Sequence, residues 1–298
     1  MSLYAYQVME KVIENGSFAK AAEVLNLTPS AVSHIITKLE EEVGLQLLNR
    51  DRNGTTLTGS GELLWPYIND LLRMDQNLEQ RIAQIHGLDK GIVRLGTINS
   101  ITVSWLPQIL RSFREKYPGV EIKIYQGNYF DMVVWMNNGT LDLAFGSENF
   151  HTESMFKNAK LMPVHNDPLV CVTPPDFEPK NRGYVTVDDI RDMPLIKQRS
   201  DFDQESQHFF DKHGLSYESV FSISEDDGIM AMVAAGFGFY IMTDLIVRGK
   251  TGDFKVYPIK PEEYRPICIA ENKMQNPVPA VTLLRDHIIE VVSQIEGD

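Results

Sequence analysis

The sequence predicts an α/β protein in three successive parts: a small helical head closed by a β-hairpin, one long helix, and a larger body of alternating strands and helices. Three observations carry this. Apolar residues recur at helical spacing in three short segments of the first sixty residues, followed by two strand-like runs around Asn53-Gly54. From Gly61 to His86 apolar residues repeat every seven positions with no glycine in between. From Gly91 onward, β-branched runs alternate with amphipathic segments, the order of a mostly parallel sheet.

The head is read first. Leu3, Tyr6, Met9, Val12 and Ile13 form the inward face of an opening helix. Gly16-Ser17 supplies a turn with Ser17 as cap, and Phe18, Ala21, Ala22 and Leu25 give a second apolar face. Its two alanines allow a following helix to cross closely. After the short link Asn26-Leu27-Thr28, Thr28 caps a third helix, Pro29 suits its first turn, and Gly44 stops it. Val32, Ile36, Leu39 and Val43 line one side of that helix. Ser30, Ser33, His34, Thr37 and Lys38 line the other, and such small hydrogen-bonding side chains suit the edges of bases in a major groove. The runs around Asn53-Gly54 complete a winged helix-turn-helix over residues 1–58, with double-stranded DNA as partner.

Residues 59–88 form the long helix. Leu64, Leu71, Leu78 and Ile85 make one series, and Ile68, Asp75 and Ile82 a second. This pattern is a dimerisation seam interrupted by Asp75; the alternative is a helix packed on its own domain. Pro66 lies early in it and is expected to kink it or move its start.

In the body, strands at 92–98, 120–125 and 141–146 alternate with helices at 106–117 and 130–138, giving a βαβαβ unit. A second unit begins near Leu161, with strands at 169–172, 195–196 and 220–223 and helices at 204–213 and 228–235. Residues 267–270 and a helix at 278–295 return to the first unit. The expected halves are therefore 89–161 with 267–298, and 162–266, joined as a hinged clamp like that of periplasmic binding proteins. Ligands in such folds sit at strand ends and helix N-termini. That places Asn99, Ser100, Ile101, Thr102, Asn128, Tyr129, Gly146 and Ser147 around an effector site from the first half. Arg199, Ser200, Asp201, Phe202, Ser224 and Glu225 come from the second. Arg199 is the cation of this set, suited to clamp a carboxylate or else to pair with Asp201 or Glu205. Glu148, Asp201 and Glu225 nearby make a zwitterionic or hydroxylated metabolite as fitting as a simple acid.

The chain resembles LysR-type transcriptional regulators. The resemblance rests on Gly16-Ser17-Phe18, Ala21-Ala22, Leu25, Ala31-Val32-Ser33, Leu39-Glu40, Gly44, Leu47, Arg50, and Leu57-Thr58 with Gly61. At lower specificity it continues through Leu106-Pro107, Phe113, Tyr117-Pro118, Leu141-Asp142-Leu143 and 233–238. It implies a ligand-responsive regulator that binds DNA as a homo-oligomer, a dimer or tetramer joined through the linker helix, with RNA polymerase as a further candidate partner. It also gives Ser100 the role of a ligand-contacting hydroxyl, beside its simpler role as a helix cap. Three departures stand out: Leu48 where many members have Phe, Pro29-Ser30 where many have Gln-Pro, and Met242-Thr243 where a Pro is usual. The second removes a base contact that Gln would make.

The charge balance bears on mechanism. The chain carries a net charge of −13, and residues 1–90 hold 8 Lys and Arg against 12 Asp and Glu. Lys20, Lys38, Arg50 and Arg52 are the local candidates to neutralise phosphates, helped by hydroxyls at Ser17, Thr28, Ser30 and Thr58. Affinity is thus expected to depend only moderately on salt. No apolar run approaches eighteen residues and no basic leader opens the chain, so a cytoplasmic protein without membrane contact is expected. Cys171 and Cys268 lie in apolar strand runs and read as core residues, and the seven histidines show no metal-binding spacing. Gly236-Phe237-Gly238 lacks the third glycine of a dinucleotide loop and reads as a tight return from helix to strand. No cofactor and no catalytic constellation are expected. The competing reading is a small-molecule binding protein or enzyme whose N-terminal helices mediate protein contacts.

Overall fold

Three short helices, α1 (Leu3–Asn15), α2 (Phe18–Leu25) and α3 (Pro29–Val43), pack around Val8, Met9, Val12, Ala21, Ala22, Val32, Ile36 and Leu39. In this computed structural model the described residues are all except 1, 52–53, 86–89, 150–154, 157–158, 200–204, 217–218, 220, 273–277 and 298. They divide into two compact units, residues 1–88 with 137–140, and residues 89–136 with 141–298.

Local chemistry sets the ends of the head helices. Thr28 Oγ1 accepts the Ala31 N–H at 3.2 Å at the start of α3, and Gly44 ends it at φ 75°. Ser17 occupies the cap position of α2, but its side chain makes no capping bond. Beyond Gly44, β1 (Leu48–Asp51) and β2 (Gly54–Leu57) pair antiparallel as the wing. The wing is fastened to α3 by Glu40, whose Oε1 accepts the Leu47 and Leu48 N–H groups at 2.8 and 3.1 Å.

Helix α4 (Gly59–Ile85) begins where Thr58 Oγ1 accepts the Gly61 N–H at 3.0 Å. A Cβ on Gly61 would sit 2.2 Å from the Leu47 carbonyl oxygen, so only glycine lets α4 pass this close to the wing. Gly61→Ala is expected to destabilise unit 1 by about 1–3 kcal/mol through overpacking, read as a lower midpoint in urea unfolding; an unchanged midpoint would refute the close approach.

The apolar series predicted on α4 stay exposed in its second half and turn partly inward in its first. Ile68 is buried with Trp65 and Leu72 against the head core, Leu64 packs partly against it, and Asp75 accepts a bond from Gln7 Nε2 at 3.4 Å. The exposed apolar stripe instead runs through Leu63, Tyr67, Leu71 and Met74 to Leu78, Ile82 and Ile85. The cause is physical: the head needs an apolar wall that the start of α4 supplies, and a straight helix drifts about 20° per heptad. Pro66 lies inside α4 without ending it.

Unit 2 opens with β3 (Gly91–Thr97), α5 (Asn99–Ser104), α6 (Leu106–Lys116), β4 (Val120–Gln126), α7 (Tyr129–Asn137) and β5 (Leu143–Ser147). Strand β3 is parallel to both β4 and β5, as the sequence predicts. Next come β6 (Ala159–Thr173), β7 (Val185–Thr186), α8 (Val187–Ile190), β8 (Lys197–Gln198), α9 (Glu205–Lys212) and β9 (Ser222–Ile223). The chain closes with α10 (Asp226–Ala234), β10 (Tyr240–Thr243), α11 (Asp244–Val247), β11 (Lys255–Lys260), β12 (Tyr264–Asn272) and α12 (Pro279–Glu296). The large sheet has the order β4-β3-β5-β12-β6-β11-β7, with β10 also on β6.

Among the described residues three buried clusters pack on this sheet, a small one around Met132 and Met136 and two larger cores. Of the larger two, one gathers Leu95, Trp105, Phe113, Phe145, Ile269 and Leu284; the other gathers Val172, Ile196, Phe209, Ile229, Tyr240 and Ile241. Strand β6 belongs to both. Its first part pairs antiparallel with β12, and its last part with β10 and β11. The chain thus crosses from one core to the other on β6 and back on β12. The sequence places the second half's start near Leu161 and a separate strand at 169–172; in the structure one fifteen-residue strand covers both. The strand expected at 195–196 reduces to a bridge between Leu195 and Phe239 beside β8. The one expected at 220–223 is present as β9, with Val220 outside the described residues. The 236–238 turn behaves as expected: a Cβ on Gly238 would lie 2.2 Å from the Pro194 carbonyl oxygen, and the chain turns there from α10 into β10.

Candidate functional site

The first candidate surface is the outer face of α3. Its apolar residues Val32, Ile36 and Leu39 are at most 1% exposed, while Ser30, His34, Thr37 and Lys38 lie on the side away from this core. Ser33 is half-buried because the wing reaches it: Arg50 Nη1 donates to Ser33 Oγ at 2.9 Å. The same guanidinium lies 4.2 Å above the Phe18 ring centroid, so α2, α3 and β1 together fix its position. Of the hydroxyls expected to meet phosphates, Thr28 is committed to its cap and touches Ser30 Oγ at 3.0 Å. Thr58 donates its proton to the Gln46 carbonyl at 2.7 Å. Pro29 is exposed at the start of α3 and Ser17 is half-buried; Arg52 lies outside the described residues. The bracing by Glu40 escapes a reading of the sequence, since nothing local marks a helical Glu as the partner of backbone groups seven and eight residues on.

The second candidate is a cleft of about 470 Å³ in unit 2, within the range of small-molecule sites. From the first core's side it is lined by Asn99, Ser100, Gln126, Asn128, Tyr129 and Asp131, and by Arg265 on β12. From the second side come Gln198, Glu205, Ser224, Glu225, Asp226, Tyr240 and Thr243. Strand ends thus bring together the predicted Asn99, Ser100, Asn128, Tyr129, Ser224 and Glu225.

Other predicted residues lie off the cleft. Ile101 is fully buried in the first core, and Thr102 turns its hydroxyl back to the Ile98 carbonyl at 2.9 Å. Gly146 and Ser147 sit inside the sheet, paired with Cys268 and Ile267, because β12 runs alongside β5 to its end. Arg199 is exposed, and its backbone N–H is held by the Ile223 carbonyl at 3.0 Å. Ser200, Asp201 and Phe202 lie outside the described residues.

Among the described residues the cation that lines the cleft is Arg265, which the sequence does not single out. It faces Asp167 across the β6–β12 pairing, directly opposite in register, and forms with it a buried ion pair. Arg265 Nη2 also donates to Ser100 Oγ at 3.0 Å, and Nη1 reaches the Tyr129 hydroxyl at 3.4 Å. Tyr129 in turn donates to Glu205 Oε1 at 2.7 Å, crossing from one side of the cleft to the other. Burial, then the Glu205 charge, pushes the Tyr129 phenol well above its ordinary range, so it stays a donor. A second crossing joins Asn99 Nδ2 to Asp226 Oδ2 at 3.2 Å, with Gln198 Nε2 on Asp226 Oδ1 at 3.1 Å and the Tyr240 hydroxyl on Gln198 Oε1 at 3.1 Å. Burial raises the Asp226 carboxyl above its ordinary value, against the lowering effect of its two amide donors.

Cys171 and Cys268 are both fully buried, and burial raises both thiols, that of Cys268 to about 12, so neither presents a reactive thiolate. No helix among the described residues is long and apolar enough to cross a membrane.

Residues 3–62 match the family model described as bacterial regulatory helix-turn-helix protein, lysR family, and residues 86–293 match the LysR substrate binding domain. The chain belongs to the LysR family of transcriptional regulators. This LysR-type regulator is 25% identical over 300 residues to YvbU of Bacillus subtilis, an HTH-type transcriptional regulator, covering 100% of this chain and 99% of that one. Among solved structures it is similar to full-length OxyR from Pseudomonas aeruginosa, with a TM-score of 0.80 at 18% identity over 98% of this chain and 95% of that one. It is also similar to full-length CbnR complexed with its target DNA, with a TM-score of 0.57 at 19% identity over 98% and 100% of the two chains. These likenesses show a shared fold. The LysR-type chain is therefore a transcriptional regulator with a DNA-binding helix-turn-helix and an effector-binding domain, as the leading reading of the sequence has it.

Proposed function

We propose that residues 1–58 read DNA through α3, that residues 59–88 join two copies through the stripe on α4, and that the cleft holds a small polar effector. Residues 89–161 with 267–298, and 162–266, are the two halves of the effector domain in this reading. The observation that carries it is the division of α3 into a buried apolar side and an outer polar side, braced to the wing by Glu40 and Arg50. The CbnR likeness supports it, since that protein is seen on its target DNA. Two copies present two recognition helices, which set half-site spacing. A dimer, or a tetramer built from dimers, works in the cytoplasm without catalytic turnover, and RNA polymerase is its further partner at a promoter. An effector that prefers one arrangement of the two halves shifts the placement of the DNA-reading heads.

The test uses His34→Ala with Thr37→Ala, both outside the core, against an operator selected from random sequences. Specific affinity is expected to fall by about 1–3 kcal/mol for each base contact removed, with thermal stability unchanged. Unaltered discrimination between the selected operator and scrambled DNA would overturn the assignment of α3.

A further inference from the structure

The charge of the cleft selects among effectors. Among its described lining residues Asp131, Glu205, Glu225 and Asp226 are carboxylates, against the single guanidinium of Arg265. That guanidinium already has its counter-charge in Asp167 and gives further protons to Ser100 and Tyr129. Lys250, a cation that acts on Asp226, is bonded to Asp227 at 2.5 Å and does not line the cleft. Asp131 is used locally, accepting the Asn128 N–H at 2.9 Å at the start of α7. Asp226 and Glu205 are engaged across the cleft, by the Asn99 amide and the Tyr129 phenol, and Glu205 also lies in the field of the Arg265 guanidinium. A simple acid entering here meets the repulsion of four carboxylates, whereas an ammonium gains a carboxylate partner.

A second observation comes from the wall itself. Arg265 Nε and Thr243 Oγ1 are buried without a hydrogen-bond partner, on residues 3% and 2% exposed, and both residues line the cleft. Buried polar atoms in native proteins are nearly always satisfied, so these two call for a partner that the described residues do not supply, an acceptor in the case of Arg265 Nε.

We propose that the cleft takes a small amine that also carries an oxygen acceptor, an amino acid or an amino alcohol, with its ammonium at Asp226 and Glu205 and its oxygen toward Arg265 and Thr243. This rests on the reading of the cleft as the effector site. Effector chemistry is then set by Asp226 and Glu205, and the Asn99–Asp226 and Tyr129–Glu205 crossings are the bonds an ammonium competes with or reinforces.

The test is calorimetric titration of the full-length chain with five-carbon probes of matched size: 5-aminopentanoate, 5-aminopentan-1-ol, glutarate and pentane-1,5-diol. At least one of the two amines is expected to bind about tenfold or more tightly than glutarate and the diol. Asp226→Asn and, separately, Glu205→Gln and Thr243→Val are each expected to weaken that binding, with folding checked by circular dichroism. Glutarate binding as tightly as the amines, or no amine binding up to about 10 mM, overturns the proposal. If glutarate binds and Ser100→Ala abolishes it, the cleft remains the effector site and only the amine assignment falls. Amine binding that none of the three variants alters places the ligand elsewhere and overturns both.

Discussion

Asp167→Ala is expected to cost the effector domain about 3–5 kcal/mol, because it leaves a buried charge without its partner. Asp167 is fully buried, and its Oδ1 also accepts the Leu245 N–H at 3.1 Å at the start of α11. Its removal strands the Arg265 guanidinium and one backbone donor together. Burial on its own lowers the Arg265 pKa, but Tyr129, Asp167 and Glu205 hold it above the ordinary value, so Arg265 has no route to neutrality. Urea unfolding at neutral pH measures the effect, and a destabilisation below about 1 kcal/mol would show that the pair does not hold the β6–β12 crossing. The double change Asp167→Leu with Arg265→Met is expected to recover much of the stability, because an apolar pair of similar volume removes the desolvation cost as well as the attraction.

Leu71→Glu with Leu78→Glu is expected to convert the protein to monomers and abolish operator binding. The two leucines are 53% and 59% exposed in a single chain, so the changes leave its fold intact. In a symmetric dimer four leucines leave water; at about 1.5 kcal/mol or more each, their removal amounts to about 6 kcal/mol, roughly a 10⁴-fold weaker dimer. Four carboxylates brought together at the seam add repulsion. Sedimentation at micromolar concentration reads the outcome, and a variant that stays dimeric would show that the α4 stripe is not the joining surface. A variant that dissociates yet keeps full operator affinity would separate dimerisation from DNA reading.

How much of this is legible in the sequence follows from where each signal resides. Helix caps and amphipathic periods are local, so Thr28, Gly44 and the apolar side of α3 can be read directly from neighbours in the chain. Ser100, Asn128, Tyr129 and Ser224 are legible for a related reason: each lies just beyond or near the end of a strand, and strand ends in α/β folds open onto ligand sites. The same rule misplaces Gly146 and Ser147, because it assumes parallel neighbours and β12 is antiparallel to β5. In α4 the heptad spacing fits more than one facing, and only contact with the head turns Ile68 inward and leaves Leu63 and Tyr67 outside.

The sequence by itself determined the winged head, the long helix, the α/β body and the family, because periodicity, capping and motif spacing are properties of neighbouring residues. Tertiary structure alone decided which charges meet. Arg265 and Asp167 stand 98 residues apart in the chain, Tyr129 and Glu205 stand 76 apart, and Asn99 and Asp226 stand 127 apart. Nothing in the surroundings of Arg265 along the chain distinguishes it from any other strand arginine. Its role arises because β6 and β12 cross between the cores at one point, where a buried guanidinium must find a carboxylate. The crossing therefore fixes both the ion pair that joins β6 to β12 and the guanidinium that lines the cleft.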